Sequence, residues 1–131
     1  MDLPARILIV EDEHITALGL TRQLRHLGYQ VVALAHSGPQ AIQHALFHRL
    51  HVVLMDIDLQ GTMDGIEAAR HIQAAVPIPV VYMSAHADAA THERIQATTQ
   101  AAGFVLKPIH LPTLRATLQR VCSRPQGDVH S

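Results

Sequence analysis

The sequence predicts a doubly wound α/β fold, with one five-stranded parallel sheet and five helices covering both of its faces. Two observations carry this. First, short continuous apolar runs alternate five times with stretches of helical spacing. Such runs suit strands buried on both faces, and strand–helix alternation calls for a parallel sheet. Second, the chain has 131 residues, 48% hydrophobic, and the apolar content is Ala, Leu, Ile and Val with few aromatics. That length suits one domain with a sizeable core, and that mixture suits helices packed on a buried sheet.

The elements follow in order. Arg6-Ile7-Leu8-Ile9-Val10 reads as the first strand. Over 13–27 the spacing turns helical, with Ile15, Leu18, Leu20, Leu24 and Leu27 on one broad stripe, and Gly28 stands where a helix end favours a left-handed residue. Residues 31–35 are the second strand. Ser37 with Gln40 three residues later is a capping-box signature. The helix it opens carries Ala41, Ile42, Ala45 and Leu46 and is expected to end near Arg49.

Residues 51–55 form the third strand, and 56–63 form a loop. Asp64 is the next N-cap, with Glu67 as its partner, and Ile66, Ala69, Ile72 and Val76 follow at helical spacing. Pro77 and Pro79 end that helix before a fourth strand at 80–83. Residues 88–99 read as a weak helix whose apolar face is alanine plus Ile95. A short fifth strand lies at 103–106. Pro112 suits the first turn of the last helix, where its missing N–H costs nothing. Leu111, Leu114, Leu118 and Val121 are that helix's core stripe. The fold is expected over 1–122, with a polar, disordered tail at 123–131.

Several function classes lose support at this level. Lysine plus arginine number 10 against 11 acids, for a net charge of −1. The basic residues are dispersed, and only Tyr29, Phe47, Tyr82 and Phe104 are aromatic, so no nucleic-acid partner is expected. Cys122 is the single cysteine and can form no internal disulfide; a redox role is not expected of it. Neither a secretory signal nor a stretch long enough to span a bilayer is visible, so a cytoplasmic location without membrane insertion is expected. The chain has 11 histidines, which make its charge steep with pH in the range where imidazole titrates.

Ligands of open parallel sheets bind beyond the carboxyl ends of the strands. There the first strand ends in Glu11, Asp12 and Glu13, the third in Asp56 with Asp58 beyond, the fourth in Ser84, and the fifth in Lys107 before Pro108. Converging carboxylates repel one another unless a cation sits among them, and a hard divalent ion with oxygen ligands, Mg²⁺, fits such a set. Lysine and serine suit phosphate oxygens, and an aspartate beside the ion can become an aspartyl phosphate.

The segments Ile7-Leu8-Ile9-Val10-Glu11-Asp12-Glu13, Leu54-Met55-Asp56-Ile57-Asp58-Leu59, Met63-Asp64-Gly65-Ile66-Glu67, Ser84-Ala85 and Lys107-Pro108 together resemble the receiver domain of two-component response regulators, here of stand-alone type. The resemblance covers residues 5–122 and implies a (βα)5 flavodoxin-like fold. It implies that Asp56 accepts a phosphoryl group from a histidine kinase or histidine phosphotransfer protein in a phosphorelay. It further implies that Asp12 ligates Mg²⁺ directly, Glu11 assists, and Asp56 and the Asp58 carbonyl complete the ligands. Lys107 would bridge the phosphoryl group and the acids, and the Lys107-Pro108 bond would be cis. Ser84 and Phe104 would be the switch pair, and the fifth-strand face would signal to an unidentified downstream protein or dimerise. No enzymatic action on an external substrate is implied.

This sequence departs from the commonest pattern at Glu11 for aspartate, Ser84 for threonine, Phe104 for tyrosine, Ile109 for an aromatic, and in a loop at 60–62 that looks one residue longer. None removes a reacting group. Two other readings compete, a phosphate-independent pseudo-receiver and a metal-dependent phosphohydrolase. The latter wants a second acid two residues after the nucleophile, which Asp58 supplies, but also a cap, for which these short connections leave no room. A flavin or nucleotide module would want a Gly- or Ser-rich phosphate loop where Glu-Asp-Glu stands. Asp58 and His86, each two residues past a site residue, either border the phosphoryl group and tune its lifetime or face solvent. Glu13 reads as first-turn helix charge, and Asp64 as a cap. His44 and His48, four apart with His51 nearby, have zinc-compatible spacing but no acidic or thiol partner, which favours a solvated face.

Overall fold

The computed structural model describes residues 3–86 and 88–122. The tail expected to be disordered, 123–131, lies outside the described residues. The elements run β1 (Arg6–Val10), α1 (His14–His26), β2 (Gln30–Ala35), α2 (Gly38–Phe47), β3 (Val52–Asp56), α3 (Gly65–Ala75), β4 (Val80–Ser84), α4 (Ala89–Thr98), β5 (Ala101–Leu106) and α5 (Leu111–Cys122). All four strand pairings are parallel, in the order β2-β1-β3-β4-β5. The winding reverses at β1, so β1 and β3 are neighbours whose following connections leave in opposite directions. That switch point opens a crevice at their carboxyl ends.

Alternate residues of each strand face opposite sides of the sheet, and each side has its own core. On one side Leu8, Val10, Val53, Met55 and Tyr82 pack with Ala41 and Ala45 of α2, Ala69 and Ile72 of α3, and Ile95 of α4. On the other, Ile7, Ile9, Leu54, Val81 and Met83 meet Leu20 and Leu24 of α1 and Leu114 and Leu118 of α5. β3 and β4 are buried along their whole length, which is why their sequences are continuously apolar.

Local chemistry sets the helix ends. Ser37 Oγ accepts from Gln40 N at 3.3 Å, and Gln40 Oε1 accepts from His36 N at 2.8 Å. Asp64 and Asp88 accept from the backbone N–H groups of Glu67 and Thr91. Such caps contribute about 1 kcal/mol each. After α1, Gly28 takes φ +98 and Tyr29 N donates to Leu24 O, the left-handed ending that favours glycine.

The predicted α1 stripe needs correction. Ala17, Leu20, Thr21 and Leu24 face the core, at i, i+3, i+4 and i+7, whereas Ile15 is 86% exposed and Leu18 52%. Leu20 and Leu24 fix the phase, and Ile15 and Leu18 then fall outside it. Leu46 of α2 is likewise exposed. α2 stops at Phe47, two residues before Arg49, because His48 takes an extended conformation. β3 runs one residue further than expected and takes in Asp56, while β5 begins two residues earlier, at Ala101.

Candidate functional site

At the carboxyl end of β1 the ladder continues one residue beyond the strand, with Glu11 N donating to Ala35 O at 2.9 Å. This carries the Glu11 side chain inward, where the residue is 1% exposed; Asp56, the last residue of β3, is equally buried. Lys107 follows β5 and is held by its own N–H donating to Ser84 O, before a cis Lys107–Pro108 bond. Its Nζ donates to Glu11 Oε1 at 2.7 Å and to Asp56 Oδ2 at 2.9 Å. Asp56 Oδ1 accepts from Asp58 N at 2.9 Å, so both acceptor oxygens of Asp56 are oriented. Asp12, at the rim, accepts from Gln60 N at 3.1 Å.

Carboxylate oxygens of Glu11, Asp12 and Asp56 all lie within 4.8 Å of one another. Of these three acids, two share the one Lys107 ammonium. Burial pushes the Glu11 carboxyl up to about 7; the Lys107 hydrogen bond opposes this, and the Asp56 charge adds to it. Burial also works against the Lys107 charge, but its hydrogen bonds to Glu11 and Asp56 outweigh it and raise its pKa. An all-oxygen, electron-rich cluster of this kind can hold a hard cation. Beside it, Asp56 has a nucleophilic oxygen and Lys107 a cation that can follow a charged oxygen.

The remaining predicted residues surround this pocket. Asp58, Ala85 and His86 lie on its wall with Gln60. Ser84 is buried; its Oγ donates to Asp58 Oδ2 at 3.1 Å and accepts from His86 N at 3.0 Å. The Asp58 side chain is therefore engaged with Ser84. Phe104 lies on β5, half-buried, with its ring centroid 4.6 Å from that of His92 on α4. Glu13 precedes α1 instead of joining its first turn; it makes no cap bond and accepts from Thr16 Oγ1 at 3.0 Å. His44 and His48 stack on each other, whereas His51 Nδ1 accepts from Arg6 N.

Some contributors carry no role in the sequence reading. A Cβ on Gly65 would lie 2.8 Å from the Asp56 carbonyl carbon and 2.9 Å from Ile57 Cα, and closer still to the Asp56 carbonyl oxygen. Only glycine lets the first turn of α3 approach the end of β3 this closely; its place directly after a capping aspartate was the available signal. Arg94 of α4 forms a two-pronged pair with Asp64, at 2.6 and 3.0 Å, tying α4 to the N-cap of α3. His36 Nδ1 lies 2.9 Å from Glu11 O. No local pattern points to these last two contacts, which join residues 30 and 25 apart.

Comparison with known proteins agrees with this geometry. The family model described as the response regulator receiver domain matches residues 7–119. The transcriptional regulatory protein PdtaR of Mycobacterium tuberculosis is 31% identical over 93% of this chain, which spans 58% of that protein's length. The signal receiver domain of a modulated diguanylate cyclase from Desulfovibrio desulfuricans superposes with a TM-score of 0.84 at 32% identity, covering 94% of this chain and 96% of that one. The receiver domain of a sensor histidine kinase from Pseudomonas aeruginosa, solved with a magnesium ion in its active-site cleft, has a TM-score of 0.81 at 30% identity and covers 92% and 98%. Among the described residues no helix is long and apolar enough to cross a membrane. With the fold, the acidic pocket and the family match in agreement, the chain belongs to the response regulator receiver domain family.

Proposed function

We propose that this domain accepts a phosphoryl group on Asp56 from the phosphohistidine of a histidine kinase or histidine phosphotransfer protein, and that it acts on no external substrate. The observation that carries this reading is the buried Asp56 carboxylate, with Lys107 Nζ bridging it to Glu11 and with Asp12 at the rim. In the transfer, an Asp56 oxygen forms the new P–O bond as the donor's P–N bond breaks and its electron pair returns to the imidazole. Lys107 can swing its ammonium from the carboxylates to the incoming phosphoryl oxygens without leaving the pocket. The Asp58 N–H fixes one Asp56 oxygen in place.

The residues present fit Mg²⁺. Glu11, Asp12 and Asp56 offer oxygen donors only, in a cluster with surplus negative charge, and the Asp58 carbonyl is a further candidate. The relative from Pseudomonas aeruginosa holds magnesium in its cleft, which supports the same assignment here. Bound there, Mg²⁺ would neutralise the charge that builds up on the transferring group.

Ser84 and Phe104 are the proposed switch. Phosphorylation would draw Ser84 Oγ from Asp58 toward the phosphoryl group and let Phe104 move inward, changing the face that β5 offers to a downstream protein or to a second copy. Asp58 and His86 would influence attack by water and hence the lifetime of the phosphorylated state, a reading supported by their lining the pocket wall. Exchanging each for alanine and timing dephosphorylation tests this; unchanged lifetimes in both would discard it.

The reading as a whole is tested by intact mass after incubation with Mg²⁺ and acetyl phosphate. The expected result is a gain of one phosphoryl group, absent with EDTA and absent in Asp56→Asn. No gain, even from a phosphohistidine donor, would overturn phosphoryl acceptance and leave a phosphate-independent pseudo-receiver.

A further inference from the structure

The carboxyl end of α2 carries a feature that phosphoryl acceptance does not use. His44 and His48 stack with ring centroids 5.5 Å apart and planes 17° from parallel. The edge of the Phe47 ring meets the His48 ring at 90° with centroids 5.0 Å apart. A zinc–nitrogen bond is about 2.0–2.1 Å, which puts each ring centroid about 3.2 Å from a shared ion. Two imidazoles at a near-tetrahedral angle about one ion then have centroids about 5.2–5.5 Å apart, by the same bond length. The observed spacing meets this, so chelation needs ring rotation and little backbone movement. The carboxyl end of a helix also favours a cation.

Two imidazoles fill only half of a tetrahedral shell. The same helix end exposes Phe47 at 84% and Leu46 at 55%, an apolar pair beside half a metal site. We propose that His44 and His48 form one half of a zinc site that a second copy of this chain completes, giving a four-histidine shell on a twofold axis with Phe47 and Leu46 buried around it. Closed point symmetry presents the same patch from each copy, so the four ligands follow from two. A shell of four nitrogen ligands suits zinc and leaves magnesium to the oxygen donors of the acidic pocket. This interface lies on α2, apart from the β5 face.

The test is molar mass by light scattering on the full chain, with Mg²⁺ in excess and with zinc chloride or EDTA added. The expected result is a doubled mass with zinc at one ion per two chains, reversed by EDTA. His44→Ala and His48→Ala should each abolish the doubling while Asp56 still takes up a phosphoryl group, which shows that the variants fold. No zinc-dependent change in mass, doubling that survives in either variant, or one zinc held per monomer would each overturn the proposal.

Discussion

Replacing Gly65 by alanine tests how the site is assembled. The new methyl group would sit 2.8 Å from the Asp56 carbonyl carbon and 2.9 Å from Ile57 Cα, where ordinary contact begins at 3.4 Å. The obstacles are backbone atoms, so no side chain can swing aside; clearing the carbonyl carbon alone needs a separation of strand end and helix of about 0.6 Å, and the nearer Asp56 carbonyl oxygen demands more. Overpacking of this kind costs about 1–3 kcal/mol. Removing a glycine from a helix returns about 0.5–1 kcal/mol. The expected net loss is about 1–2 kcal/mol in urea unfolding, with an unchanged denaturant slope. The displaced backbone carries Asp56, so phosphoryl uptake should slow about tenfold, given that a 1 Å misplacement can cost a hundredfold. Gly19→Ala is the control: it lies within α1 with nothing within 4 Å of the added Cβ, and should gain about 0.5–1 kcal/mol without altering uptake. A Gly65→Ala protein as stable and as readily phosphorylated as its parent would refute the close-approach argument.

Other expectations follow from the same contacts. Lys107→Met leaves Glu11 and Asp56 buried without their ammonium and should destabilise the fold by about 3 kcal/mol, with Mg²⁺ restoring part of the loss in thermal melts; a neutral effect would contradict the pairing. Burial raises the Tyr82 phenol to about 12, from a usual 10.0. The folded state thus keeps a proton that the unfolded chain releases, and stability should fall as pH rises from 10 toward 12, at up to about 1.4 kcal/mol per pH unit. Tyr82→Phe should flatten that decline and cost about 1 kcal/mol at neutral pH through the lost bond to Thr99 Oγ1. Burial alone would raise the Asp64 carboxyl, but the Arg94 and Glu67 hydrogen bonds outweigh it and hold it below 3.8. Its contribution should therefore be present above that pH and fade as pH falls through the lowered value. Arg94→Ala should shrink this acid-side loss and cost about 0.5–1 kcal/mol, and hydrogen exchange in α4 should quicken.

What the sequence disclosed depended on distance along the chain. Glu11, Asp56 and Lys107 were legible because each ends an apolar run, and parallel strands bring all such ends to one edge of the sheet. Ser37 and Asp64 were legible as caps because capping is settled within three residues. The face of α1 was not: Ile15 and Leu18 fit an apolar stripe as well as Ala17 and Thr21 do, and only docking against β1 and β2 selects between them. Asp12 was legible as a strand-end acid, but its contact with the backbone N–H of Gln60 was not, because any non-proline residue offers that donor. Arg94 reaches Asp64 across 30 residues, and nothing near either announces the pair.

The bridge from Lys107 to Glu11 joins residues 96 apart. In a chain made from its amino end, the acids of β1 and β3 exist long before the lysine that compensates them. Until β5 docks, Glu11 and Asp56 have no ammonium between them, and that closure spans most of the domain. Parallel pairing over such separations is slow compared with local helix formation. The charge balance of the pocket is therefore completed late. A nascent or truncated chain without β5 displays Asp56 but lacks the Lys107 cation that pairs with it, so the closed pocket also certifies that the domain has been finished.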